Sequence, residues 1–420
     1  MAKRQFRVLY REFLFRLVDL ELLSPEGDIN KLLGQFATIL FLLSLLFTLP
    51  VLALADSKLP QAARLITAWP VEHSLIATTM VIVGLFAVLS WDSTFPDKRD
   101  VLVLAPLPIR VKTLFLAKVS ASGSALCLTI GVFNAVPGII FPTALGPPST
   151  SLLDWILSPP RYRLLAAYWI TLMAAGTFIF CSVLCLQGIS AQLLSRRKFL
   201  RLSAFLQMAA FCLFLCVYFL QPSLAFPDRL ASPANQRLLT WLPSYWFLGL
   251  FQQCNGSMHP AMVPLAQRAW IGLAVSLLGA VSAYALSYLR PLRKIVEEPD
   301  IGPSARGIHW LPRFGNSLET AIVQFSIRTL LRSRQHRVML AFYLGAGIAI
   351  ATFFVRIGVA NVRELLQQSN ISLIFASFLI LCVWIAGTRV VFGVPLELRA
   401  NWIFRVTQIR NVKMYLSAIR

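Results

Sequence analysis

The chain has 420 residues, 57% of them hydrophobic and only 14% charged, with a net charge of +21. Soluble domains average about 25% charged residues, so this composition, with a mean hydropathy of +0.69, excludes an ordinary soluble globular protein and points to lipid as solvent. The basicity would suit a nucleic-acid binder in a soluble chain, but no basic stretch here carries interleaved aromatics on a polar module, so nucleic acid is not an expected partner.

Residues 1–24 place Phe6, Leu9, Phe13, Leu17 and Leu20 at helical spacing, with Arg4, Arg7 and Arg11 following the same period on another face. This pattern predicts an interfacial helix lying on the inner leaflet. Crossing about 30 Å of hydrocarbon takes about 20 apolar residues, with every backbone group bonded internally. Eight segments meet that requirement: 32–55, 73–91, 114–145, 164–194, 203–222, 267–289, 338–357 and 371–394. The first ends in a signal-like Ala53-Leu54-Ala55. It reads as a retained span, because the preceding residues are long and carry Glu12, Asp19, Glu21, Glu26 and Asp28, whereas a signal n-region is short and basic.

Lys and Arg alternate strictly between high and low counts in successive loops, 30 on one side against 9 on the other. By the positive-inside rule, the N-terminus and residue 420 lie in the cytoplasm. Between the second and third spans stands "RDVLVLAPLPIRVKTLFLAK" (99–118), a charged segment bent by two prolines. Pro106 and Pro108 restrict Leu107 and stop the second span from continuing as helix. The expected result is a stiff knob at the cytoplasmic face, suited to docking in a groove of another protein and passing a rigid-body push into the spans. Asp97, Arg99, Asp100, Leu104, Pro106, Pro108 and Arg110 would form it, and Phe115 and Lys118 would fix the re-entry.

The third span is long, and its Ser120-Ala-Ser-Gly-Ser-Ala125 face permits close helix packing. Cys181/Cys185 and Cys212/Cys216 are each four apart and so share a helix face, but no His or carboxylate lies near them in sequence, and small packing residues are the expectation. The aromatic content of 146–163 and 223–266 suits helices at the outer interface. After a polar connector (297–307), residues 316–337 repeat the amphipathic pattern, with Leu318, Ile322 and Phe325 opposite Arg328, Arg332 and His336.

That second amphipathic element suggests a same-direction repeat of the kind transporters use. Arg99, Ile109, Arg110 and Leu116 match Arg399, Ile409, Arg410 and Leu416 at a constant offset of 300. The fold expected is an all-α polytopic membrane protein of about eight transmembrane helices, a truncated two-fold repeat of six-helix units. Its parts would be a cytoplasmic interfacial helix (1–31), a first six-span unit (32–290, with a coupling segment at 92–113), a cytoplasmic linker and interfacial helix (291–337), and the start of a second unit (338–420). A native chain of this design would continue for about four more spans.

No catalytic constellation stands out. There is no P-loop, no H-E-x-x-H and no nucleophile elbow. His73, His259, His309 and His336 are scattered at span ends and loops, where a solvated or interfacial place is expected. No acidic residue is expected near the middle of any span to bind a coupling proton, so the energy source should lie elsewhere. No metal or cofactor is expected.

The run "WDSTFPDKRDVLVLAPLPIRVKTLFLAK" (91–118) resembles the cytoplasmic segment between the second and third spans in permease subunits of ABC-2 type transporters. There a charged pair precedes a Leu-Pro stretch and a Phe, Ala and Lys group enters the next span; here those positions read Arg99-Asp100, Leu102 to Pro108 and Phe115-Leu-Ala-Lys118. "VPLELRANWIFRVT" (394–407) is similar to a later inner segment of large bacterial members. The resemblance implies a separate ATPase subunit that grips 96–118, with Arg399, Trp402, Arg405 and Arg410 as the counterpart contact. It implies a transport subunit rather than an enzyme, in a bacterial plasma membrane, with membrane lipids as partners and a dimer or pseudo-dimer as its assembly. The chain departs from simple six-span members in carrying a doubled unit, the second cut short. The alternatives are a secondary transporter and a membrane-embedded enzyme acting on lipid-linked substrates.

Overall fold

The computed structural model describes residues 2–18, 29–55, 61–91, 107, 110–145, 159–194, 196–222, 224–256, 259–289, 320, 323–325, 327, 334–358 and 371–393. Those residues form helices and turns, with no strand among them. Among the described residues six helices are long and apolar enough to cross a membrane, and the chain is an all-α, multi-pass membrane protein. Two further expected spans are helical over 203–220 and 338–357, but their apolar stretches are shorter, Phe205–Leu220 and Met339–Thr352. The composition that excludes a soluble fold thus acts at the level of individual helices: Leu42, Leu46 and Leu49 on one helix and Ile271, Val275 and Leu278 on another stay more than half exposed, as lipid-facing side chains must.

The described helices fall into two compact units. The first contains α1 (Ala2–Val18), α2 (Ile29–Ala55), α3 (Gln61–Leu89), α4 (Val111–Phe133), α5 (Pro137–Leu145) and α6 (Pro159–Leu193). The second is described below and takes α7 (Arg196–Leu220) out of the sequence order. The first unit resumes with α8 (Pro227–Ala231), a 3-10 turn (Pro233–Asn235), α9 (Gln236–Trp241), α10 (Pro243–Asn255) and α11 (Met262–Leu289).

Small residues set the close approaches in the first unit. A Cβ on Gly249 of α10 would lie 2.9 Å from the backbone nitrogen of Ala266 in α11, and one on Gly188 of α6 would strike the Cβ of Ala283. Without a hydrophobic drive between helices in lipid, such contacts are what hold them together. Hydroxyls within the helices bond to their own backbone, Thr48 to Ser44 O at 2.7 Å, Thr78 to Ser74 O at 2.7 Å and Thr129 to Ala125 O at 2.8 Å. This satisfies them where no water can. α10 ends at Gly256, whose φ of 88° is left-handed and whose N–H caps the carbonyls of Gln252 and Gln253, a conformation only glycine adopts without strain.

The second unit comprises α7, α12 (Arg334–Gly358) and α13 (Ile371–Gly393). Gly345 of α12 lies against Phe211 and Leu215 of α7, and Gly387 of α13 against the Tyr343 ring. Phe211 meets Phe342 at 5.9 Å and Phe354 meets Phe375 at 5.2 Å between ring centroids, edge-on geometries favoured by the ring quadrupole.

The first predicted interfacial helix forms as α1, but its apolar stripe is covered by protein. Leu9, Phe13 and Leu17 pack onto Ala117 and Ala121 of α4, flanked by Phe6, Tyr10, Leu14 and Leu114. The two alanines let the helices come this close; Ala121 belongs to the small stretch read in the third span and Ala117 precedes it.

Candidate functional site

The third span is not one helix. The apolar run 114–145 is interrupted at Asn134–Val136, where α4 stops and α5 begins. The cause is local. Pro137 has no N–H, so the helical ladder loses a donor, and Ala135 tightens onto Val132 O at 3.3 Å. The Val136 N–H turns to Ser44 Oγ of α2 at 3.3 Å.

Asn134 holds this joint together. Its Nδ2 donates to Ile130 O at 3.0 Å, and its Oδ1 accepts from the Tyr168 hydroxyl of α6 at 3.1 Å. Thr79 of α3 lies 3.2 Å from Nδ2 and 3.3 Å from Oδ1. Ser44, Thr79, Asn134 and Tyr168 are all buried. One break thus draws polar groups from α2, α3, α4 and α6 to a single point.

A second buried polar cluster lies toward the Gln61 end of α3. Glu72 Oε2 accepts from Gln252 Nε2 of α10. The neighbouring His73 lies with Nε2 3.0 Å from Ser244 Oγ, and Ser244 donates onward to Gln221 Oε1 at 3.1 Å. The His73 ring stacks on Tyr245 at 3.9 Å and 20°. The Tyr245 hydroxyl donates to Pro222 O and accepts from the Leu224 N–H at 3.0 Å. Trp69 meets the His259 ring edge-on at 5.6 Å.

Both clusters correct the sequence reading. Glu72 lies within the apolar stretch Ile66–Leu89, so one span does carry a buried carboxylate, near its end rather than its middle. A span boundary set at residue 73 excludes Glu72 by one position. His73 and His336 are buried, not solvated, and His73 is held by hydrogen bonding and stacking. The break at Asn134 was legible as Asn-Ala-Val-Pro-Gly (134–138) inside an apolar run. The partners Ser244 and Gln252 carry no such signal, since each lies over 170 residues from its contact on α3.

Of the residues expected to couple to a partner, Arg110, Phe115 and Lys118 lie within the described structure. Arg110 is exposed and extended, φ −71° and ψ 131°, immediately before α4. Phe115 meets Tyr284 of α11 edge-on at 5.6 Å. Lys118 is 2% exposed, its ammonium 5.3 Å over the Phe13 ring of α1, a cation–π placement. Asp97, Arg99, Asp100, Leu104, Pro106, Pro108, Arg399, Trp402, Arg405 and Arg410 lie outside the described residues.

Among the described residues no group of three or more His, Cys, Asp or Glu side chains gathers as a metal site requires. Cys254 sits beside Arg163, whose Nε donates to Cys254 O at 3.0 Å. Burial pushes the Cys254 thiol above its ordinary range and the guanidinium pulls it the other way. Comparison of the chain with family models, with curated proteins and with solved structures finds no match.

Proposed function

We propose that the chain is the membrane-spanning subunit of an ATP-driven transporter, built on six-span repeats with eight spans here, and that a separate ATPase works it from the cytoplasm. The segment 92–113 is the part that the ATPase grips, with Arg99, Asp100, Pro106, Pro108 and Arg110 at its centre, and 396–413 is its counterpart. The reading starts from the alternation of basic loops and from the resemblance of 91–118 to ABC-2 permeases.

The observation that carries it is the build of α4. This helix begins at the proposed docking segment, is clamped in its first turns by α1 and by Tyr284, and ends at the Asn134 joint. Its 23 residues make a rod of about 35 Å. A displacement at Arg110 would reach a polar break shared by three other helices, a physical route from a surface push to a change within the membrane.

The test is association. Arg99→Glu combined with Arg110→Glu should abolish co-purification with the ATPase while membrane insertion persists. If the double variant still binds and still stimulates ATP hydrolysis, the docking assignment falls.

Glu72 favours a second reading, a secondary transporter, because an ionisable group buried in a span is a functional site by default. Transport that proceeds without ATP and stops in Glu72→Gln would select it over the first.

A further inference from the structure

α1 presents two opposed faces. Leu9, Phe13 and Leu17 are buried on α4, whereas Arg4, Arg7 and Arg11 are exposed. At 100° per residue these three arginines fall within about 60° of one another and directly opposite Phe13. Val8 flanks the row on its Glu12 side and is 63% exposed. Glu12, on the flank, is engaged by Arg16 at 3.6 Å, which leaves the row itself cationic.

The depth of this row is set by its partner. α1 lies along Leu114 to Ala121, the first turns of a helix whose apolar stretch begins at Lys112. Charged side chains at the boundary of a span stand at headgroup level, their stems along apolar surface and their heads toward phosphate. The exposed valine on the flank of the row suits the same layer.

We infer that the Arg4–Arg7–Arg11 face of α1 is a binding surface for the phosphate headgroups of anionic phospholipids. The surface pins α1, and through it the first turns of α4, to one leaflet. The inference rests on α4 spanning the membrane and is independent of what drives transport.

Native mass spectrometry of the detergent-purified full chain tests it, with dioleoyl phosphatidylglycerol and dioleoyl phosphatidylcholine as probes. The wild-type chain should retain the anionic lipid in preference. Replacing Arg4, Arg7 and Arg11 together by Gln should reduce that preference about tenfold or more, and replacing all three by Lys should keep most of it. A fold control is built in, since the Lys variant carries the same number of substitutions. Equal retention of both lipids by the wild-type chain overturns the proposal, as does an unchanged preference in the Gln variant. Loss of a co-purifying protein from the Gln variant with its lipid preference intact also overturns it, and would assign the row to a protein partner.

Discussion

The Gln252 side-chain amide donates to the Glu72 carboxylate across 180 residues of sequence, joining α10 to α3. Removing one member leaves the other buried and unpaired, which costs about 1–3 kcal/mol. Glu72→Leu should therefore lower the thermal midpoint in detergent, and Glu72→Leu with Gln252→Leu should recover much of the loss. A double-mutant cycle with no coupling would show that the two side chains do not depend on each other.

The Asn134 joint should rank its own bonds. Tyr168→Phe deletes one hydrogen bond to Oδ1 and should cost about 0.6 kcal/mol, the average for polar contacts between membrane helices, whereas Asn134→Ala deletes the whole set and should cost nearer 2 kcal/mol. Stability measured against denaturing detergent checks the order. Equal effects of the two substitutions would mean that Tyr168 carries the joint.

α1 is held to α4 by a short list of side chains, so its release can be read locally. Phe13→Ala removes the ring that packs on Ala117 and Ala121 and that lies under Lys118. Tryptic cleavage after Arg11 and Arg16 should then quicken severalfold while cleavage after the exposed Arg229 and Arg237 keeps its rate. Ala117→Leu should do the same by steric exclusion. Unchanged cleavage in both variants would show that α1 is held by other contacts.

Cys254 offers a test by pH. Its thiol is pushed up by burial and pulled down by Arg163, and only the thiolate reacts with maleimides. Arg163→Ala should move the labelling profile of Cys254 to higher pH, so labelling at a fixed neutral pH becomes slower. Peptide mapping separates it from the exposed Cys127 and Cys382. A shift to lower pH would contradict the assigned role of the guanidinium.

Much of the architecture is legible in the sequence because a lipid solvent makes hydropathy decisive: the apolar runs become the helices, and the stripe Leu9, Phe13, Leu17 becomes the buried face of α1. The small face of the third span foretold close packing without naming its partner. What escaped was polar. A single Asn in a run of about thirty apolar residues barely moves an averaged hydropathy, although Pro137 beside it marks the break. Glu72 and His73 stood at a boundary, where polar residues ordinarily meet water, and nothing local indicates that α10 folds back over them. Most of the expected coupling residues fall outside the described residues, so for them the sequence remains the only guide.

The long separation of Glu72 from Gln252 has a consequence for biogenesis. At ribosomal rates of about 5–20 residues per second, roughly ten to forty seconds pass between synthesis of the carboxylate and of its amide partner. During that interval the end of α3 must stay hydrated, at the mouth of the insertion machinery or in a wet cleft of the nascent bundle. Final seating of α3 is thus a late event, timed by the arrival of a helix made much later in translation.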